Sequence, residues 1–449
     1  MAHRWARRWK ARPEGGPQNL VEVLHVDPLE GTMDGVWALP PSKSHAIRWL
    51  MMGALSEGEL RLNGAAGLGE DARSMRRCLT QLGVEVVDCD GAWQMRPAAP
   101  FVRPPSLLHA GNSGTALRML VALASHLDVP VMLDGDASLR RRGADDLARV
   151  LRDQGVKVRC GDGHERLPME VRGPWTGSTG RVAVLRRDRS SQPYSALLLS
   201  SPLVHGEHEV RLDGVVRSSQ HAALSERVAS MCGWPGNLSK DTLSLSPWTP
   251  RPPKEVTLPG DASMASFAML YVRTVGARLS LVGWPDAEEA LGADILHDLA
   301  PALGVAWDKD ALAPDDTTRE VDVDLSSAND LICPLAALLA LGGGGVIRGA
   351  PHARHKESDR ISSTVDLLNT FGIEATATDD GMHVNGGQRL RQPNSVVRTF
   401  GDHRVMMTAV ALAASTGATV EGPRLHNVAD PTYLDRVAGL GLRCTSATE

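Results

Sequence analysis

Along the chain, uninterrupted apolar runs alternate with amphipathic ones, and each apolar run is entered through a short polar turn. The segments "PSKSHAIRWLMM", "GNSGTALRMLVALA", "SSQPYSALLLS", "GDASMASFAMLYV", "ANDLICPLAALLAL" and "GDHRVMMTAVALAA" share this form. With Ser42, Asn112, Ser191, Asp261, Asn329 and Asp402 marking the turns, the pattern returns about every 70 residues, the signature of an internal repeat. Ser, Asn and Asp side chains accept hydrogen bonds from the free N–H groups of a helix's first turn, so each marker is a candidate N-cap. Runs such as "VMMTAVALAA" are apolar on every face and predict helices buried between layers. The methionine pairs 51/52 and 406/407 belong to that core.

A second series keeps the same period. "LTQLGVEV", "LRDQGVKV", "ASMCGWP", "APALGVAW", "LNTFGIEA" and "AGLGLRC" each close a helix at a glycine: Gly83, Gly155, Gly233, Gly304, Gly372 and Gly441. A left-handed C-terminal cap requires glycine there. Helices of this series, such as "DDLARVLRDQG", are amphipathic and belong on the outside. Two markers in phase over six periods predict an α/β protein of six units, each a strand, helix, strand, helix and further strand. If six buried helices all begin at one surface, free N–H groups and partial positive charge collect there, which favours anions.

Composition narrows what that surface is for. A chain of 449 residues with 42% hydrophobic residues has ample material for more than one core. The net charge of -5 and pI near 6.3 exclude a general nucleic-acid or anionic-membrane binder, so local basic clusters point to particular small anions. Six scattered cysteines show no metal-ligand spacing and read as thiols of a reducing compartment. No apolar run reaches the roughly 18 residues of a membrane span. Residues 1–18, basic and ending in Gly and Pro, are expected to form a disordered extension.

The polar turns carry the chemistry. They hold Lys43, Ser44 and Arg48; Asn112, Gly114 and Thr115, with Arg142 from "DASLRRRGADD"; Ser190, Ser191 and Gln192, with Ser218; then Asp330, the block "HARHKESDR", and Asp402, His403 and Arg404. One helical turn through "HKESDR" would set Lys356 and Glu357 beside Arg360. "HARH" lacks matching carboxylate or cysteine ligands, so no metal site is expected. Cations and hydroxyls at equivalent places describe a site for at least two phosphate- or carboxylate-bearing ligands. Asp330 and Glu357, lying among cations, are the candidate proton-transfer groups.

In the ordered motifs "LPPSKSHAIR", "GNSGTALR", "GDASLRRR", "SSQ", "GDASMAS", "HKESDR" and "GDHRVMM", the chain resembles the EPSP synthase family of enolpyruvyl transferases, over about residues 20–449. The resemblance implies a two-domain fold, an inside-out α/β barrel of six βαβαββ-type repeats, three per domain. It implies domain I from residues 19–39 plus 256–449, domain II from 40–255, and an active site in the cleft between them. It implies transfer of the enolpyruvyl group of phosphoenolpyruvate to the 5-hydroxyl of shikimate 3-phosphate, a step of the shikimate pathway and aromatic amino acid biosynthesis. It assigns Lys43, Ser44, Arg48, Ser190, Ser191, Gln192, Ser218, Asp330 and Lys356 to shikimate 3-phosphate. Lys43, Asn112, Gly114, Arg142, Gln192, Arg360 and Arg404 fall to phosphoenolpyruvate. Asp330, Glu357 and Lys43 become the catalytic set, with Asp330 taking the hydroxyl proton and Glu357 helping to protonate the methylene carbon. It further implies a cytoplasmic monomer with two small-molecule substrates, no cofactor, no metal, and no nucleic-acid or membrane partner.

The sequence departs from the family pattern at four places. Gly143 follows Arg142 where a proline is usual, Val428 stands in place of a lysine, and His352 and His221 replace an asparagine and a tyrosine. Two other readings remain: a UDP-N-acetylglucosamine enolpyruvyl transferase, whose "KN" turn and loop cysteine are missing here, and a catalytically silent binding paralogue, for which Val428 is the best argument. Gly114 leaves room beside the enolpyruvate site, so glyphosate is expected to compete with phosphoenolpyruvate.

Overall fold

The computed structural model describes residues 22–98, 100–161, 166–176, 182–236 and 239–448; the expected N-terminal extension lies outside them. Six small sheets among these residues enclose two sets of buried helices. The second unit shows the pattern. Strand Leu108–His109 runs parallel to Val131–Asp134 through the helix Gly114–Ala124. Val131–Asp134 then pairs antiparallel with Met169–Arg172, and that strand with Lys157–Cys160. The parallel pair needs a helical crossover, which is the buried helix, while the second, amphipathic helix Asp145–Asp153 leads from Val131–Asp134 into the antiparallel pair of Lys157–Cys160 and Met169–Arg172.

Those helices, Lys43–Leu55, Gly114–Ala124 and Gln192–Ser200 in the first half and Ala265–Val275, Ile332–Leu341 and His403–Thr416 in the second, pack within each half against one another. Residues His45 to Ala54 are buried without a break, as the all-round apolar pattern required. The six repeat glycines all have φ between 76° and 101°, the left-handed backbone of the predicted helix ends.

The units trade opening strands. Asp34–Ala38, which precedes the first buried helix, pairs parallel with Arg278–Val282, while Glu255–Thr257, which precedes the fourth, pairs parallel with Leu60–Asn63. The two crossings are tied by Ser42 N–H to the Pro259 carbonyl at 2.8 Å and Asp261 N–H to the Pro40 carbonyl at 2.8 Å. Gly260 must be glycine, because a Cβ there would run into the Gly283 carbonyl. Two separate hydrophobic cores result, one from Ala46 to Leu258 and one from Leu24 to Trp37 with Ala262 to Leu442. No described helix is long and apolar enough to cross a membrane.

Candidate active site

All six buried helices begin at the seam between the halves, but their caps differ from the marker residues in part. Asp261 and Asp402 cap as expected, accepting from the N–H groups of Ser263 and Arg404. In the second unit Ser113 caps instead of Asn112, accepting from Ala116 N–H at 3.2 Å. Asn112 is thereby released to hold Arg142, whose Nη2 donates to both the side-chain and main-chain oxygens of Asn112 at 2.6 Å. Ser42, Ser191 and Asn329 make no side-chain cap.

The block "HKESDR" is likewise not one helical turn. Asp359 takes the cap position, accepting from Ser362 N–H, so the helix starts at Arg360 and Lys356 is extended before it. The Glu357–Arg360 contact nevertheless forms, at 2.6 Å. Arg360, 1% exposed, gives each nitrogen to a different acid: Nε to Asp402 at 2.9 Å, Nη1 to Asp330 at 2.6 Å and Nη2 to Glu357. Both candidate proton carriers thus hang from one guanidinium. Arg404 adds a second contact to Asp330 at 3.1 Å.

A narrow cavity at these helix starts is lined by Lys43, Ser44, Arg48, Gly114, Arg142, Ser190, Ser191, Gln192, Ser218, Asp330, Lys356, Glu357, Arg360 and Arg404. It shares Arg142, Ser190, Gln192, Lys356 and Glu357 with a cleft of about 800 Å³. Of the residues that the resemblance assigns to the substrates or to catalysis, only Asn112 does not line the cavity; it stands behind Arg142.

Burial would push the Asp330 and Glu357 carboxyls up, but the arginines outweigh it. Arg404 and Arg360 hold Asp330, and Arg360 and Arg142 hold Glu357, well below the usual carboxylate range. Burial lowers Lys356, with Asp330 only partly offsetting it. Arg48 is 1% exposed and pairs with no acid among the described residues: it donates to Ser225 Oγ, Ser195 Oγ and the carbonyls of Ser44 and His221. Burial and the charge of Arg227 push its pKa down to about 9, so an incoming anion meets a poorly compensated cation. Burial and Arg48 likewise depress His221 to about 3, leaving a neutral ring.

Sequence reasoning missed Asp71. Its Oδ2 accepts from Lys43 Nζ at 2.7 Å, and its Oδ1 is buried without a partner. Burial favours neutral Lys43, yet the charges of Asp71 and Glu357 raise its pKa. Asp71 lies in the first turn of an outer helix, Glu70–Gln81, where an acid reads as an ordinary dipole partner; no sequence pattern separates it from Glu70. The position of Val428 lies nearby, since a Cβ on Gly69 would meet its carbonyl oxygen at 2.6 Å. Among the described residues, no cluster of three or more His, Cys, Asp or Glu could hold a metal.

The family profile of EPSP synthase (3-phosphoshikimate 1-carboxyvinyltransferase) matches residues 27–436. A 3-phosphoshikimate 1-carboxyvinyltransferase of Methanothermobacter thermautotrophicus is 30% identical over 418 residues, 92% of this chain and 97% of that protein. One of Anaeromyxobacter sp. (strain K) is 32% identical over 444 residues, 95% of this chain and 94% of the relative. In fold, the EPSP synthase of Acinetobacter baumannii superposes with a TM-score of 0.74 at 23% identity, covering 95% of this chain and all of that one. The enolpyruvyl transferase NikO of Streptomyces tendae gives 0.70 at 15% identity, covering 96% of this chain and all of that one. With the profile spanning most of the chain and relatives matched nearly end to end, this protein belongs to the EPSP synthase family.

Proposed function

We propose that the protein transfers the enolpyruvyl group of phosphoenolpyruvate to the 5-hydroxyl of shikimate 3-phosphate, releasing phosphate. The observation that carries this reading is the pair Asp330 and Glu357, both held by Arg360 inside a cationic cavity. A site that only bound phosphates would gain nothing from two carboxylates among its cations.

Shikimate 3-phosphate is held by Ser44, Arg48, Ser190, Ser191, Gln192, Ser218 and Lys356, where the negative charge of its phosphate compensates the buried Arg48. Phosphoenolpyruvate is held by Lys43, Gly114, Arg142, Gln192, Arg360 and Arg404, with Asn112 orienting Arg142. As these anions occupy the arginines, Asp330 and Glu357 lose part of the field that depresses them and become better bases. Asp330, with Lys43, takes the proton of the 5-hydroxyl as its oxygen bonds to C2 of phosphoenolpyruvate. Glu357 helps deliver a proton to C3. The tetrahedral adduct then expels phosphate as C3 returns a proton, restoring the vinyl ether. Cations around both phosphates stabilise the developing charge, and closure of the two halves excludes water from the cation-like centre.

Product analysis by NMR tests the reading. Purified protein is expected to convert shikimate 3-phosphate into its 5-enolpyruvyl ether with one phosphate released per ether. Binding of both compounds without product would establish the silent paralogue, and an ether formed on UDP-N-acetylglucosamine would establish the sister activity.

A further inference from the structure

The segment Asp286–Asp294 belongs to the second half, between the strand Arg278–Val282 and the helix Ile295–Leu299, yet it reaches the first half at three points. Glu289 accepts from His45 Nε2. Arg227 Nη2 lies 3.4 Å from Glu289 Oε1 and donates to the Glu288 carbonyl at 2.7 Å. Leu291 packs against the first half's core, while Ala290 and Ala293 are rooted in the second half's core. Leu291 has φ of 56°, left-handed backbone that a branched side chain rarely adopts. Such a conformation persists only where surrounding contacts over-determine it.

The imidazole that Glu289 grips is 2% exposed, and its Nδ1 stands 2.8 Å from Ser42 Oγ. His45 therefore ties the crossing at Ser42 to the second half, and Lys43 and Ser44 lie between the two anchored residues. The same segment borders the site, since Ala290, Leu291 and Ala293 line a small cavity with Lys43, Ser44 and Asp330.

We propose that Asp286–Asp294 is a strap by which the second half grips His45 and Arg227, fixing the turn that bears Lys43 and Ser44 across the seam. Glu289 is then a positioning residue that acts through His45. Exchange of Glu289 requires no loss of either core, because its side chain is 34% exposed and sits in neither.

Hydrogen–deuterium exchange on the ligand-free full chain tests the grip without reference to the reaction. Glu289→Ala is expected to speed exchange at 46–50 and 286–294 at least about tenfold while helices 114–124 and 332–341 stay unchanged. Turnover, which rests on the function proposed above, is expected to show kcat/KM about tenfold lower, mainly through KM. Glu289→Gln, which keeps an acceptor for His45, is expected to recover at least half of that loss. If the alanine variant does not fold, Arg227→Gln removes the other grip and is expected to give the same local exchange pattern. Unchanged exchange at 46–50, or an equal rise over the whole chain, would overturn the proposal, as would wild-type kcat/KM in Glu289→Ala.

Discussion

Replacing Glu357 by Gln separates proton transfer from anion binding more cleanly than any other change at the site. Glutamine keeps the shape and an oxygen for Arg360 Nη2, now 2.6 Å away, while Arg360 retains Asp402 and Asp330, so the fold should survive. What is lost is a proton carrier and one negative charge. A positioned acid or base contributes about 10²–10⁴-fold, so kcat should fall by at least about 100-fold. The binding effect has the opposite sign. Removing a negative charge about 6 Å from an incoming phosphate is worth about 3 kcal/mol per unit of phosphate charge at an effective dielectric of about 20, and screening in an open cleft leaves about 1 kcal/mol. Affinity for phosphoenolpyruvate should therefore stay level or tighten by up to about fivefold. Steady-state phosphate release gives kcat, and calorimetric titration of phosphoenolpyruvate onto the shikimate 3-phosphate complex gives the affinity. Parallel losses in both, or an unchanged kcat, would refute the assignment of Glu357.

Three other outcomes are expected. In Gly114→Ala the new methyl would sit 3.0 Å from Arg118 Nη1, 3.2 Å from Gln192 Oε1 and 3.4 Å from Arg142 Nη1, all ends of flexible side chains. The protein should fold, KM for phosphoenolpyruvate should rise roughly tenfold and competitive inhibition by glyphosate should weaken; unchanged constants would remove the steric argument. Val428→Lys restores a cation near Asp71 and should lower KM for phosphoenolpyruvate several-fold at constant kcat, with an unaltered KM counting against a phosphate role for that position. Burial depresses His126, stacked on Trp175, to about 3, so its contribution to stability is complete above the unfolded value near 6.5 and is lost as pH falls below it. Denaturant unfolding at pH 7.5 and pH 5 should show the wild type losing about 2 kcal/mol more than His126→Phe, and equal losses would contradict the buried neutral ring.

The repeat was legible because both of its signals are backbone requirements. A helix apolar on all faces can only be interior, and a left-handed helix end selects glycine wherever it recurs, as Gly83 to Gly441 all do. The site residues at the helix starts were legible for the same reason, since the repeat fixes where those starts are. What the chain did not disclose was local competition for caps. Ser113 and Asn112 are both good caps, and in the fold Asn112 is engaged by Arg142 and Asp136, which leaves the cap to Ser113. Asp359 displaces the turn expected through Lys356 and Glu357 by the same competition. Asp71 was invisible because its meaning lies in Lys43, from another helix 28 positions earlier. The strap was invisible because Glu289 sits in a polar turn like many others, and only the fold brings it to His45.

In the proposed reaction the cationic seam where six helices begin transfers the enolpyruvyl group, with Lys43 touching both substrates. Initial rates of phosphate release, with shikimate 3-phosphate and phosphoenolpyruvate varied against each other, test it most directly in wild type and Lys43→Met. The expected result is release that saturates in both compounds in the wild type and falls by at least about 1,000-fold in the variant, with both proteins folded. Absence of release by the folded wild type, or release by Lys43→Met at the wild-type rate, would contradict it.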